Sequence, residues 1–544
     1  MQAADSVYVN GNIYTMQEKD FHAEALAVRG QHLVYVGGNA GAQGYIGTDT
    51  VVVDLEGRTV IPGITEGHIH FMSIGTALLE VDAANKSKEA ILEDVRMQAE
   101  NRPHGEWIQG RGWNQETWPD RQYPTKEDLD SVAPNHPVLL RRACGHAFWA
   151  NSLALSLAGI HQDTPDPVGG EIIRDQDGEV IGILTDTAGN SLEAIVPKYA
   201  DHKLREALKL AQQELFRYGI TSAMDAGAGI TSAMGAGSTM QTIDLMKDMY
   251  KTGELKVRLA AYIPYGPEIQ TYYQNGPESG LFDGRLSLRG MKLFSDGSLG
   301  ARSAWMLDDY SDRPTHRGNG RYSDEELHEL MREAHQAGFQ IAIHCIGDAA
   351  IKQALDVFER VVKPEETNHR CRVEHFQVAR PEDIRRLADL KMVPSVQFVH
   401  VSSDKGMMED RVGSSRNLGA FAWRSIVGAG AVLANGSDGP VESVNPFHGL
   451  YAGVTRKGIL DGLPKGGWYP AECLTRYEAL KAATLGSSYA QFEEEVKGSL
   501  EVGKYADFVV IDKDYMTCAP DEIKEICALV TVLGGERVYA AYSC

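Results

Sequence analysis

Two histidines one residue apart, His68 and His70, close the apolar run that begins at Val60. Along an extended strand, residues two apart point to the same face. The two imidazoles therefore project together, and Ile69 turns the other way into packing. Two imidazoles on a rigid strand end suit a borderline divalent metal ion. A single His-x-His is also compatible with two ordinary strand histidines, and decides nothing by itself. Ligand-type residues recur, however, near the ends of four further apolar runs. Lys292 lies in residues 291–297, His344 in 341–348, His375 in 372–376 and Asp438 in 433–439. If these runs are strands of one barrel, their C-terminal ends converge and the side chains meet. The agreement of five runs in residue type and position points to a metal site.

Positioning these residues requires strands that alternate with helices. Strand-like runs occupy residues 64–71, 220–225, 257–263, 290–295, 340–345, 371–376, 392–396 and 431–437. Helical patterns intervene, for example at 203–218, 324–337, 350–362 and 381–390. The pattern predicts an α/β fold, a TIM-like (β/α)8 barrel over residues 63–489, with its active site at the C-terminal strand ends. Residues 78–200 make too long a gap for a loop. They are expected to form an inserted α/β subdomain after strand one, over the barrel mouth, with strand-like pieces at 107–114 and 138–142.

Both chain ends read as short strands. Ser6–Val9 runs into Asn10-Gly11-Asn12, a hairpin-type signal, and Gly30-Gln31 reads as another tight turn. Near the other end, residues 508–511 form an apolar strand, and 530–533 and 537–540 flank Gly534-Gly535 as a last hairpin. Each end is too small for a core of its own. Residues 1–62 and 490–544 are therefore expected to pack together as one composite β-sandwich. The Gly-rich run 226–237 reads as a loop after strand two; it matches neither GxGxxG nor a P-loop.

The bulk composition narrows the function classes. With 53 basic and 75 acidic residues, the chain of 544 residues carries a formal charge of −22. That balance argues against a nucleic-acid surface. Seven scattered cysteines without a CxxC argue against a disulfide framework and fit a reducing cytoplasm. No signal-peptide pattern opens the sequence, and no apolar run reaches the ~20 residues of a membrane span. The expected partner is a small-molecule substrate, with neither nucleic acid nor membrane, and a homodimer is the prior for assembly. No Gly-x-Ser-x-Gly elbow is present, which disfavours a serine hydrolase.

The segments IPGITEGHIHF, GMKLFSDGSLGARSAW, IAIHCIGDAAI, RVEHFQ, ANGSDGPV and GSLEVGKYADFVVID together resemble the amidohydrolase superfamily of metal-dependent hydrolases. More narrowly they are similar to amidohydrolase family 3, the branch that includes N-substituted formamide deformylase. The resemblance extends into the insert, through GWNQETWPDRQYPT and RRACGHAFWANSLAL. It implies that His68 and His70 bind the more buried of two divalent ions, and that His344 and His375 bind the second. Lys292 would bridge them as a CO₂-derived carbamate, because an unmodified ammonium repels a cation. The plain alternative for Lys292 is a buried lysine paired with Asp296. Asp438 would touch the buried ion and act as acid/base. Zn²⁺ is the first expectation, with Fe²⁺ or Mn²⁺ open.

The implied reaction is attack of metal-bound hydroxide on the C–N bond of a small non-peptide amide, of the N-acyl or N-formyl amine type. The same site could serve a lactone, carbamate or ester hydrolase. A catalytically silent binding or regulatory protein is the reading from another class, and the presence of every ligand type stands against it. The resemblance favours His146 as a catalytic or substrate-contacting residue over a packed histidine. Trp113 and Trp118 would either wall the pocket or fill the insert's core. Arg302 would hold a substrate carboxylate or pair with Asp296. His400 reads as structural, and Cys345, on the opposite strand face from His344, as packing.

Overall fold

The computed structural model describes residues 2–17, 22–84, 86–142, 147–167, 170–227, 239–414 and 416–541. These residues divide into two units, one holding those up to Phe71 and those from Ala211 onward, the other those within Met72–Leu210.

The largest sheet of the first unit carries eight strands along its main path: β1 (Ile64–Ile69), β2 (Ile220–Asp225), β3 (Arg258–Pro264), β4 (Leu286–Phe294), β5 (Gln340–Cys345), β6 (Arg372–His375), β7 (Val393–Val396) and β8 (Ala434–Asn435). They lie side by side in chain order, every neighbouring pair parallel. Parallel strands are covered on both faces, which is why they read as nearly continuous apolar runs in the sequence. Beyond β8 the chain returns to β1. Asp438 N–H donates to His68 O at 2.8 Å and His70 N–H donates to Gly439 O at 2.9 Å. The eight strands thus form a nearly closed barrel. Gly67 permits the close approach, since a β-carbon there would sit 2.6 Å from Asn435 O.

Two further sheets belong to the same unit. In a six-stranded sheet, the C-terminal strand Phe508–Ile511 pairs antiparallel with the N-terminal strand Thr59–Pro62. A four-stranded sheet orders His32–Gly37, Ala25–Arg29, Ser6–Val9 and Val51–Asp54. The sheets bury one common apolar cluster, with Tyr8, Leu26 and Leu33 from one and Ile13, Val60, Phe508 and Val532 from the other. The Asn10-Gly11-Asn12 segment is not a hairpin. Ser6–Val9 pairs with Ala25–Arg29 and Val51–Asp54, whereas Asn12–Tyr14 pairs with Thr59–Pro62 in the other sheet. Asn10, at φ 56°, carries the chain from one sheet to the other. The turn residues were legible, but their partners lie too far along the chain to be read locally.

The second unit is an α/β insert built on a six-stranded sheet that includes Ile108–Trp113, Val138–Arg142 and Ala147–Ala150. It is larger than the expected span 78–200, because two helices at its ends pack on each other. Gly75 in the helix Phe71–Leu79 sits so close to Ala207 that a β-carbon would meet the Ala207 carbonyl at 2.1 Å. Among the described residues, no helix is long and apolar enough to cross a membrane.

Candidate metal centre

His68 on β1 and His70 just beyond it both turn Nε2 toward one oxygen of Asp438. The distances to Asp438 Oδ1 are 3.5 Å from His68 and 3.2 Å from His70. His375, the last residue of β6, joins them, its ring centre 5.1 Å from that of His68. Ligand atoms of His68, His375 and Asp438 all lie within 4.8 Å of one another. His344 from β5 stacks edge-on to His375 at 4.5 Å between ring centres. Lys292 of β4 is almost fully buried in the same neighbourhood.

Three of the four imidazoles, those of His68, His375 and His344, are held by a polar partner on the far side. His68 Nδ1 lies 2.5 Å from Glu374 Oε2, and Glu374 in turn accepts from Arg372 Nε at 2.7 Å and Nη2 at 3.1 Å. His375 Nδ1 meets Gln397 Oε1 at 2.7 Å, and His344 Nε2 meets Gly297 O at 3.1 Å. A partner that can only accept fixes the proton on the nitrogen facing it and leaves the other nitrogen as a lone-pair donor. The free nitrogens are then Nε2 of His68 and His375, and Nδ1 of His344.

The electrostatics favour neutral imidazoles around ionised carboxylates. Burial, reinforced by the neighbouring Lys292, pushes His68 down to about 4 and His344 down to about 3. Burial, with His344 beside it, holds His375 well below its usual range. Burial alone would raise Glu374, but Arg372 and His68 outweigh it and hold the carboxyl well below its ordinary value. Asp438 is likewise held low against its burial, by the neighbouring imidazoles of His70, His68 and His375. Burial also draws the Lys292 ammonium below its normal range, against the pull of Glu374 and Asp438.

The test of fit for a metal is what these atoms lack. His68 Nε2, Asp438 Oδ1 and Lys292 Nζ are buried and find no hydrogen-bond partner among the described residues. Leaving such a group unsatisfied costs roughly 1–3 kcal/mol, more when charged. A neutral imidazole lone pair and a carboxylate oxygen turned toward one point make a donor set that a divalent cation satisfies. Two of the converging residues also sit in the left-handed region, His375 at φ 71° and Asp438 at φ 60°. Strain of this kind gathers at functional sites.

The family model described as "Amidohydrolase family" matches residues 51–539. The chain belongs to the amidohydrolase family. It is 30% identical over 554 residues to N-substituted formamide deformylase of Arthrobacter pascens, covering 99% of each chain. It is also 33% identical over 542 residues to the Arabidopsis thaliana protein LONG AFTER FAR-RED 3, covering 98% of this chain and 92% of the relative. Among solved structures, an uncharacterised metal-dependent hydrolase from Pyrococcus furiosus superposes with a TM-score of 0.77 at 27% identity, covering 94% of this chain and 100% of that one. The protein is thus a hydrolase of the metal-dependent amidohydrolase superfamily.

In this amidohydrolase, the strand-end residues His68, His70, Lys292, His344, His375 and Asp438 all fall in one region of the barrel. Lys292 makes no ion pair with Asp296. That carboxylate is occupied by the backbone N–H groups of Trp305, Ile346 and Gly347, at 3.0, 3.1 and 2.8 Å. Arg302 does not pair with Asp296 either. It holds Asp312, with Nε at 3.1 Å and Nη2 at 2.7 Å. Trp113 has no exposed surface and lies in the insert's core beside Trp118 and Trp149, its indole N–H donating to Leu140 O at 2.8 Å. Of its two readings, the geometry gives it the packing one. His146 lies outside the described residues.

Sequence reasoning missed the residues that hold the ligands. Glu374 and His375 are neighbours and should face opposite sides of β6. The left-handed turn at His375 breaks that alternation, so both serve the site. Gln397 carried no motif. Asp225, the last residue of β2, accepts from Phe71 N–H at 3.3 Å, and burial raises it to about 6 against the nearby His70. An acidic residue ending an apolar strand was the one available signal.

Proposed function

We propose that this amidohydrolase cleaves the C–N bond of a small non-peptide amide, of the N-formyl or N-acyl amine type. The observation that carries the reading is Asp438 Oδ1, a buried carboxylate oxygen with no hydrogen-bond partner among the described residues, facing two strand-end imidazoles. The amide preference is supported by the full-length relation to a formamide deformylase.

His68, His70 and Asp438 would hold one divalent ion, and His344 and His375 a second, zinc being the first candidate. The chemistry such ions supply when bound is Lewis acidity toward a carbonyl and a water acidified to a pKa of about 7. Lys292 would join the two sites as a carbamate. Its burial favours the neutral amine, the form that captures CO₂. The chain's own residues do the rest. Glu374 and Gln397 fix the tautomers of His68 and His375. Asp438 takes the proton of the attacking water on its carboxylate and delivers it to the leaving nitrogen, so that acid and amine separate without a covalent enzyme intermediate.

A panel of N-formyl amines, N-acyl amines, lactones and esters tests the reading. Turnover of the amides is expected; turnover of lactones or esters alone would replace the amide by another acyl bond. Elemental analysis is expected to give about two metal ions per chain, as in two-metal hydrolases. A value of about one, with unmodified Lys292 by mass spectrometry, would remove the binuclear form.

A further inference from the structure

We propose that His400 binds the substrate at the metal centre, through a hydrogen bond at its Nε2. The inference rests on the hydrolase reading above, but not on which acyl compound is cleaved. His400 opens the helix His400–Val412, which follows β7, and so stands at the C-terminal end of the barrel strands, where barrel enzymes bind their substrates. Its ring lies nearly parallel to that of His375, with centres 6.3 Å apart and planes inclined by 9°. It is thus stacked beside the centre, three residues beyond Gln397.

The nitrogen itself is the second observation. Nε2 of His400 is buried and has no hydrogen-bond partner among the described residues. Packing against His375 would be served equally well by an apolar ring, without the cost of a buried unsatisfied nitrogen. Polar groups also lie near the imidazole. Gln377, two residues beyond His375, donates to Asp404 at 2.7 Å. Asp404 stands four residues after His400, on the same helical face and within electrostatic reach of the ring. An imidazole Nε2 can donate or accept according to tautomer. An acyl compound offers both kinds of partner beside the scissile carbon, a carbonyl oxygen and a leaving-group heteroatom.

Two variants of the metal-loaded protein test this. His400→Phe keeps a ring against His375 and removes the nitrogen; His400→Gln returns a polar group of similar reach. Three quantities are compared with the parent protein: metal content by elemental analysis, Kd for acetohydroxamate from the visible absorption of the cobalt(II)-loaded form, and kcat/KM on the panel compound the parent cleaves fastest. His400→Phe is expected to keep its metal and to weaken hydroxamate binding and kcat/KM by about tenfold, the equivalent of one hydrogen bond. His400→Gln should recover part of the loss. Values within about twofold of the parent in both measurements would overturn the proposal. So would loss of metal in both variants, which would make His400 a support for His375 and not a substrate contact. If the parent cleaves nothing in the panel, the amide reading falls, and the hydroxamate constants alone decide the role of His400.

Discussion

At the N-terminal ends of the barrel strands, Arg258 is fully buried and grips Asp507 with Nε at 2.7 Å and Nη2 at 3.2 Å. Nearby, Arg370 holds Glu494 through two contacts of 2.6 Å, and Lys497 is bound by Gln491 at 2.8 Å and by Ser222 and Glu493. At the C-terminal ends, His68, Lys292 and Asp438 are as deeply placed, yet each presents an atom without a partner among the described residues. Both ends bury charge. One end gives Arg258, Arg370 and Lys497 an acidic partner each and so ties the barrel to the C-terminal segment. The other keeps its donors turned toward a shared point and relies on a ligand to satisfy them. In a barrel the first pattern belongs to stability and the second to chemistry.

The comparison can be broken most directly at Asp438. Asp438→Asn removes the proton acceptor while keeping the side-chain shape. Turnover is expected to fall by about 10³-fold or more, with thermal stability unchanged or raised. Full activity with every substrate of the panel would end the metal-hydrolase assignment of this residue. Arg258→Ala is the mirror experiment. It leaves the Asp507 charge buried without its counter-ion and should cost about 3–5 kcal/mol in urea unfolding, while kcat per folded molecule stays the same. A large drop in kcat with normal stability would show that the two ends are not separate.

Glu374→Gln probes the boundary between the patterns, since Glu374 is paired with Arg372 and also orients His68. Metal affinity is expected to fall about 10–100-fold, measured by competition with a chelator. Arg302→Ala should matter least. Its partner is Asp312, both side chains are partly exposed, and KM is expected to stay within about twofold. A larger rise in KM would return Arg302 to the substrate site.

The strand order of the barrel was readable because parallel strands covered on both faces leave apolar runs. The predicted 220–225 and 340–345 coincide with β2 and β5, and the other six runs overlap their strands. The ligand set was readable for a related reason. Strand alternation puts His68 and His70 on one face, and a barrel gathers strand ends. What escaped depended on contacts between distant parts of the chain or on single backbone angles. Glu374 reaches His68 across 306 positions, and only the left-handed turn at His375 lets both neighbours face inward. Trp113 looked equally fit for a pocket wall or a core until its burial was known.

By itself the sequence determined the residue types, their spacing and the periodicity that places them at strand ends, since these are local properties of an extended chain. The tertiary structure alone decided which polar atoms are paired and which are left open. Pairing depends on distances of a few ångströms between segments hundreds of residues apart. That difference separates the Arg258–Asp507 clamp from the open oxygen of Asp438.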